Sequence, residues 1–180
     1  ILWQRTLEAP VIRMPVLWRD RIYVLAGRAL ICLSLRDGLV LWSRTGSGAH
    51  LFSVPAIGND DVIFCGDRTG IVARQATSGR ELWRNTALMA WGAAVICLEN
   101  RLLVQHRDYR SPGGTLACLS TATGDLLWQA PIDRDANIFP PLVQGGRVLQ
   151  AAARRLDVFA LDSGRLLGSK TFAAPLAGNP

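Results

Sequence analysis

Four cysteines and two histidines are the soft and imidazole side chains of this sequence that could bind zinc or form a cysteine–histidine nucleophile. Zinc sites and thiol nucleophiles need such residues in clusters, as in Cys-x-x-Cys pairs or a cysteine with a partner histidine. The cysteines show neither arrangement, and each lies in an apolar, strand-like segment; they are Cys32, Cys65, Cys97 and Cys118. This setting favours buried thiols that act as small hydrophobic residues, with zinc binding or a reactive thiol as the alternative.

The remaining polar residues do not form a recognisable catalytic motif. His50 and His106 are far apart in sequence, and neither has a serine or cysteine partner in a motif such as Gly-x-Ser-x-Gly. The richest acidic stretch, Asn59-Asp60-Asp61, falls in a predicted tight turn, where Asn and Asp side chains stabilise the backbone. It lacks the density of oxygen ligands that Ca²⁺ requires. The sequence therefore predicts no catalytic, metal-binding or cofactor-binding residues.

An insertion at residues 106–114, His-Arg-Asp-Tyr-Arg-Ser-Pro-Gly-Gly, is the irregular feature of the chain. Binding residues concentrate in loops on rigid scaffolds, and Tyr and Arg are favoured at interface hot spots. We predict a partner-binding loop, with a solvated hairpin tip as the alternative; its residues are Arg107, Asp108, Tyr109 and Arg110. The charged segment 131–137 is a second candidate loop.

Composition narrows the class of protein. Hydrophobic residues make up 49% and charged residues 19% of the 180 residues, a balance that excludes disorder and suits one packed domain. The net charge is +6, but its arginines are scattered rather than clustered, so we predict no nucleic-acid binding. No apolar run approaches the roughly 20 residues of a membrane-spanning helix.

A repeat organises the whole chain. A turn glycine followed four residues later by tryptophan occurs three times, and a fourth copy at Gly164 has Gly168 in place of tryptophan. The three complete pairs are Gly38 with Trp42, Gly79 with Trp83, and Gly124 with Trp128. With Trp3 as the end of a preceding copy, this position recurs about every 40 to 45 residues, a period typical of repeat architectures.

Each repeat reads as four short strands. In the first, the strands are predicted at 15–18, 21–25, 29–35 and 39–43, because apolar segments of four to eight residues are separated by turn residues. Four strands per 40–45 residues predict an all-β fold, a β-propeller of four-stranded antiparallel blades. We predict one domain, 1–180, with blades at about 8–45, 50–86, 90–131 and 137–172 and partial blades at 1–7 and 173–180. This indicates a segment of a larger propeller, with a homodimer that closes a ring as the alternative.

The repeat resembles that of the pyrroloquinoline-quinone-like (PQQ-like) family. The third copy shows this most clearly, as Cys-Leu-Ser-Thr-Ala-Thr-Gly-Asp-Leu-Leu-Trp at 118–128. The resemblance implies a BamB-like or quinoprotein-like propeller. The aspartate usual in the family after Ala-Leu is replaced by Ser34, Gln75 and Ser120, and only Asp162 keeps it.

The resemblance implies several functions, because one fold serves many. The absence of catalytic residues favours a non-enzymatic scaffold that binds a protein or peptide and uses no cofactor. One alternative is a fragment of a quinoprotein dehydrogenase that uses PQQ and calcium; another is a sensor propeller attached to a kinase or other effector domain. The family implies the periplasm or cell envelope, whereas unpaired cysteines favour the cytoplasm, so the compartment stays open.

Overall fold

The computed structural model describes residues 2–46, 54–59, 61–67, 69–88, 95–107, 113–133, 140–152, 154–174 and 176. Within these ranges all regular secondary structure is β, in sixteen strands that form four separate four-stranded sheets. No helix in these ranges is long and apolar enough to cross a membrane. The all-β propeller architecture predicted from the repeat is confirmed.

Each sheet is one blade, an antiparallel meander in which every strand pairs with its neighbours in sequence. Blade 1 contains β1 (Val16–Trp18), β2 (Arg21–Ala26), β3 (Ala29–Ser34) and β4 (Val40–Thr45). Blade 2 contains β5 (Ala56–Ile57), β6 (Val62–Asp67), β7 (Gly70–Gln75) and β8 (Glu81–Asn85). Blade 3 contains β9 (Val95–Leu98), β10 (Arg101–Arg107), β11 (Gly114–Ser120) and β12 (Leu126–Ile132). Blade 4 contains β13 (Leu142–Gln144), β14 (Arg147–Ala151), β15 (Arg155–Ala160) and β16 (Leu166–Thr171).

The same irregularity occurs in all four blades. The register between the third and fourth strands shifts at one repeat position: after Cys32, Ala73, Cys118 and Val158. A β-bulge of this kind bends the strand and redirects the side chains beside it. The residue paired with the bulge is the tryptophan of the repeat, or Gly168 in blade 4, so the bulge sets the position of the tryptophan ring.

The hydrophobic core lies between blades. Successive side chains of a strand point to opposite faces, so Ile63 packs towards blade 1 while the adjacent Phe64 packs towards blade 3. Three buried clusters follow, one at each junction: blades 1 and 2, blades 2 and 3, and blades 3 and 4. The contact with neighbouring blades therefore supplies the hydrophobic core of each blade, as in other repeat proteins.

The two ends of the chain differ from the complete blades. Residues 2–15 contribute no strand, only an isolated bridge between Val11 and Ala26. At the other end, the described residues 173–174 and 176 lie outside any strand. Strand β16, the outer strand of blade 4, is exposed along its whole length. The structure is thus an open, partial propeller.

Candidate functional site

The predicted partner-binding loop lies at the tip of the hairpin formed by β10 and β11. Arg107 is the last residue of β10 and pairs with Gly114. Asp108, Tyr109 and Arg110 lie outside the described residues. Of the second candidate loop, only 131–133 is described. The loop therefore stays a prediction.

The acidic stretch at 59–61 contributes a contact between blades. Asp61 accepts hydrogen bonds from Trp18 Nε1 at Oδ1 (3.1 Å) and from Arg19 Nη1 at Oδ2 (2.9 Å); Asp60 is outside the described residues. Both donors belong to blade 1, so Asp61 links the ends of blades 1 and 2. Across the described ranges, no three His, Cys, Asp or Glu side chains come together in a metal-binding arrangement.

The tryptophans and glycines of the repeat meet across the junctions between blades. The indole N–H of each tryptophan donates to a main-chain carbonyl of the next blade, three residues before its turn glycine. These bonds join Trp3 to Leu35 (2.9 Å), Trp42 to Ala76 (2.9 Å), Trp83 to Thr121 (2.8 Å) and Trp128 to Leu161 (2.9 Å). We call each such contact a Trp–Gly lock.

Only glycine fits beneath each ring. The turn glycine of each lock has a positive φ, +69° at Gly79, which residues with a Cβ rarely adopt. A Cβ at Gly79 would also lie 2.8 Å from Cε3 of Trp42, closer than carbon atoms pack. The glycine and the tryptophan that face each other therefore belong to different repeats. At Gly168, where the fourth repeat lacks its tryptophan, a Cβ would meet nothing within 4 Å.

A second side chain supports three of the four locks. It is the residue two positions after the tryptophan, which reaches the glycine turn of the next blade. Its bonds are Arg5 Nη1 to Gly38 O (3.3 Å), Arg44 Nη2 to Ser78 O (2.8 Å) and Asn85 Nδ2 to Gly124 O (2.7 Å). In blade 3 this position is Ala130, which has no polar group that could cross the junction.

An open groove lies beside Ala130, between β12 of blade 3 and blade 4. Its volume is about 250 Å³, and its lining combines apolar and polar side chains. The lining residues are Gln129, Ala130, Pro131, Arg155, Asp157, Phe159, Gly164 and Leu166. We call this site the 3/4 groove.

An ion pair lies on the blade 4 side of the 3/4 groove. Arg155 Nε donates to Asp157 Oδ1 at 2.7 Å. The Asp157 side chain is 6% exposed, whereas the Arg155 side chain is 43% exposed. A buried carboxylate therefore orients a guanidinium that solvent can reach.

Buried polar residues also distinguish this junction from the others. Gln105 Nε2 donates to Gln150 Oε1 at 2.7 Å across the junction, and Gln150 pairs with Asp157 in the sheet. By register, the same three positions between blades 1 and 2 are apolar: Leu25, Cys65 and Val72, all in one buried cluster. At these three positions, the junction of blades 3 and 4 has polar side chains beside its apolar cluster, where the junction of blades 1 and 2 has apolar ones.

Sequence reasoning missed Arg155, Asp157, Gln105 and Gln150. The signal was present in the repeat, because aligning the copies on their turn glycines sets Asp157 against Ile31, Val72 and Ala117. A carboxylate at a position that is apolar in every other copy breaks the strand pattern. Such breaks of local rules are expected at functional sites.

The cysteines are free thiols; Cys32, Cys65 and Cys118 are buried and Cys97 is partly buried. Burial raises the pKa of the Cys118 thiol to about 11. The nearby Arg101 guanidinium has a smaller, opposite effect on this pKa. Burial raises the pKa of Cys32 and Cys97 as well. These thiols stay protonated near neutral pH, which disfavours nucleophilic attack.

The raised pKa of Cys118 predicts a loss of stability at alkaline pH. Its pKa is higher in the folded than in the unfolded chain, so its contribution is complete below pH 9 and is lost as pH rises towards 11. We expect the free energy of unfolding to fall by on the order of 1–2 kcal/mol more in the native protein than in Cys118→Ala across this range. Urea unfolding under reducing conditions at both pH values measures this difference. An equal fall in both proteins would contradict the assignment.

The chain matches a protein-family model described as outer membrane protein assembly factor BamB, over residues 1–102 and again over 67–171. Two overlapping matches are expected of a repeat. Comparison with curated protein sequences gives no match.

Solved structures match the fold. BamB from Moraxella catarrhalis is 17% identical with a TM-score of 0.69, over 88% of this chain and 48% of that one. The computationally designed Ika4 protein is 14% identical with a TM-score of 0.70, over 89% and 98%. A quinohemoprotein alcohol dehydrogenase from Pseudomonas putida is 12% identical with a TM-score of 0.65, over 97% and 36%. This chain therefore spans about half the length of the BamB structure.

Proposed function

The chain belongs to the PQQ-like β-propeller family whose model is described as outer membrane protein assembly factor BamB, and we propose that it is a non-enzymatic scaffold that binds a protein or peptide partner. The observation that carries the proposal is the 3/4 groove. Three junctions close the corresponding position with a side chain from the preceding repeat, whereas Ala130 leaves this one open. A rigid repeat with an open groove at this position is suited to receiving a segment of another chain.

The family description supports a protein partner, because an assembly factor acts on other proteins. Antiparallel blades also leave an outer strand with an unpaired edge, to which an extended peptide can add. On this proposal the loop at 107–110 is a second contact, and no cofactor takes part. The alternative is a fragment of a PQQ-dependent dehydrogenase, which the similarity in fold to the quinohemoprotein alcohol dehydrogenase supports.

Two titrations test the proposal. Labelled extended peptides of acidic, neutral and basic composition are added to the purified chain, and their fluorescence anisotropy is followed. PQQ with Ca²⁺ is added separately, and its absorbance is followed after gel filtration. We expect saturable binding of at least one peptide class and no retained quinone. Stoichiometric retention of quinone, or no binding of any peptide, would overturn the scaffold.

A homodimer that closes a ring is the alternative assembly, and its test is the solution mass. Blade 4 has Gly168 in place of the tryptophan, and Gly38 of blade 1 is already covered by Trp3 of its own chain. Two copies meeting at these surfaces would lack a Trp–Gly lock, so we expect a monomer of 19.6 kDa. A mass of twice that value by light scattering would instead identify the dimer.

A further inference from the structure

We propose that the 3/4 groove binds a carboxylate side chain of an acidic peptide segment, with Arg155 as the anchoring residue. The inference rests on the proposed function and deepens it, since it specifies where the partner binds and the chemistry that recognises it.

Ala130 leaves space at the junction of blades 3 and 4. At the preceding junctions the equivalent side chains, Arg44 and Asn85, cross to the glycine turn of the next blade. Ala130 ends at its Cβ, and the 3/4 groove of about 250 Å³ opens beside it. The repeat itself shows that this position accommodates a polar side chain, so a side chain from a partner can occupy it.

Arg155 is held in one orientation by its ion pair. Its Nε is held by Asp157 Oδ1 at 2.7 Å. Within the described part of the chain, its two Nη nitrogens have no protein acceptor. Arg155 lines the groove and remains accessible to solvent. A guanidinium with its remaining N–H groups available forms two parallel hydrogen bonds to a carboxylate, and fixing its orientation beforehand reduces the entropy lost on binding.

Asp157 is a buried carboxylate at a position where the other blades have an apolar residue. A buried carboxylate destabilises a protein unless it is paired and hydrogen-bonded, and an apolar residue of similar size is often at least as stable. Val72 occupies the same position in blade 2 and packs in a buried cluster. An apolar residue therefore serves at this position in blade 2, whereas in blade 4 the carboxylate holds Arg155 beside the groove.

Charge and lining select the class of ligand. The chain has a net charge of +6, which attracts acidic segments. A basic side chain in the groove would meet Arg155 instead. The Gln129 amide can add a hydrogen bond, while Phe159 and Leu166 offer apolar contacts. We therefore expect acidic residues interspersed with apolar ones.

The test uses the full chain and labelled peptides that repeat Ser-Glu-Leu-Glu, Ser-Gln-Leu-Gln or Ser-Lys-Leu-Lys. Arg155→Gln removes the anchor, and Ala130→Arg fills the groove as Arg44 does between blades 1 and 2. Arg165→Gln is the matched control, because Arg165 is an exposed arginine of the same blade outside the groove lining and its loss changes the net charge equally. Thermal unfolding shows that each variant is folded, and Ala130→Arg is expected to retain or exceed the native melting temperature.

We expect the acidic peptide to bind most tightly, and its Kd to rise at least about tenfold in Arg155→Gln and in Ala130→Arg, the loss expected when a charge-assisted contact is removed. In Arg165→Gln we expect a rise of less than about twofold, since an exposed charge contributes little. Equal effects of Arg155→Gln and Arg165→Gln would show attraction by net charge only and would overturn the site while leaving the scaffold intact. If the neutral or basic peptide binds and its Kd is unchanged in Arg155→Gln, the acidic-peptide site is likewise overturned and the scaffold stays intact. If none of the three peptides binds, the proposed function fails as well.

Discussion

Replacing Trp42 with alanine is expected to lower the free energy of unfolding by about 3–5 kcal/mol, the range for large-to-small changes in a core. The Trp42 side chain is almost fully buried and closes the cluster between blades 1 and 2. Its Nε1 donates to Ala76 O, which also accepts a bond from the Tyr23 hydroxyl at 3.2 Å. The substitution removes the ring contacts and the hydrogen bond and leaves a cavity at the junction. Urea unfolding monitored by circular dichroism measures the change as a shift of the midpoint.

Trp3→Ala is the matched control, because Trp3 forms the same lock with Gly38 but belongs to residues 2–15, which form no strand. It anchors this segment rather than two complete blades, so we expect a loss of less than about 1–2 kcal/mol, nearer that of a partly exposed contact. Trp42→Phe keeps an aromatic ring but lacks the N–H group. Its loss of unfolding free energy should lie between those of Trp42→Ala and Trp3→Ala. Equal losses in Trp42→Ala and Trp3→Ala would mean that the lock contributes little to joining blades.

Gly79 is the glycine that faces Trp42 in the same lock. Gly79→Ala is expected to destabilise the protein by about 2–5 kcal/mol. The positive φ of Gly79 contributes about 1–2 kcal/mol, because a Cβ is disfavoured there. Crowding against the Trp42 ring, 2.8 Å from the new Cβ, contributes about 1–3 kcal/mol more. The measurement is again the urea midpoint, with the slope checked to show that unfolding remains two-state.

Gly145→Ala separates these two contributions. Gly145 has a φ of +56°, but a Cβ there would meet nothing within 4 Å. It should therefore show the backbone penalty alone, about 1–2 kcal/mol. The double variant with Trp42→Ala and Gly79→Ala provides a further check, since removing the ring removes the crowding. We expect it to be less destabilised than the sum of the single changes, as for residues in contact; strict additivity would argue against the contact.

The sequence by itself determined the blade. The period of glycine and tryptophan, together with short apolar segments between turn residues, predicted four-stranded units. Blade 1 was expected at 15–18, 21–25, 29–35 and 39–43, and the observed strands differ by at most two residues at either end. The turn glycines and apolar strands are local features that act within a few residues, so they are visible in each copy, and comparison of the copies shows their period.

Only the tertiary structure decided which residues meet. Gly38 and Trp42 are four residues apart, but an extended strand separates such residues by roughly 13 Å. Gly38 receives Trp3 and Trp42 covers Gly79, because the rings cross from one blade to the next. The 3/4 groove likewise joins Ala130 of blade 3 to Arg155 and Asp157 of blade 4. Neighbouring blades position these side chains, and no local pattern encodes where two sheets come together.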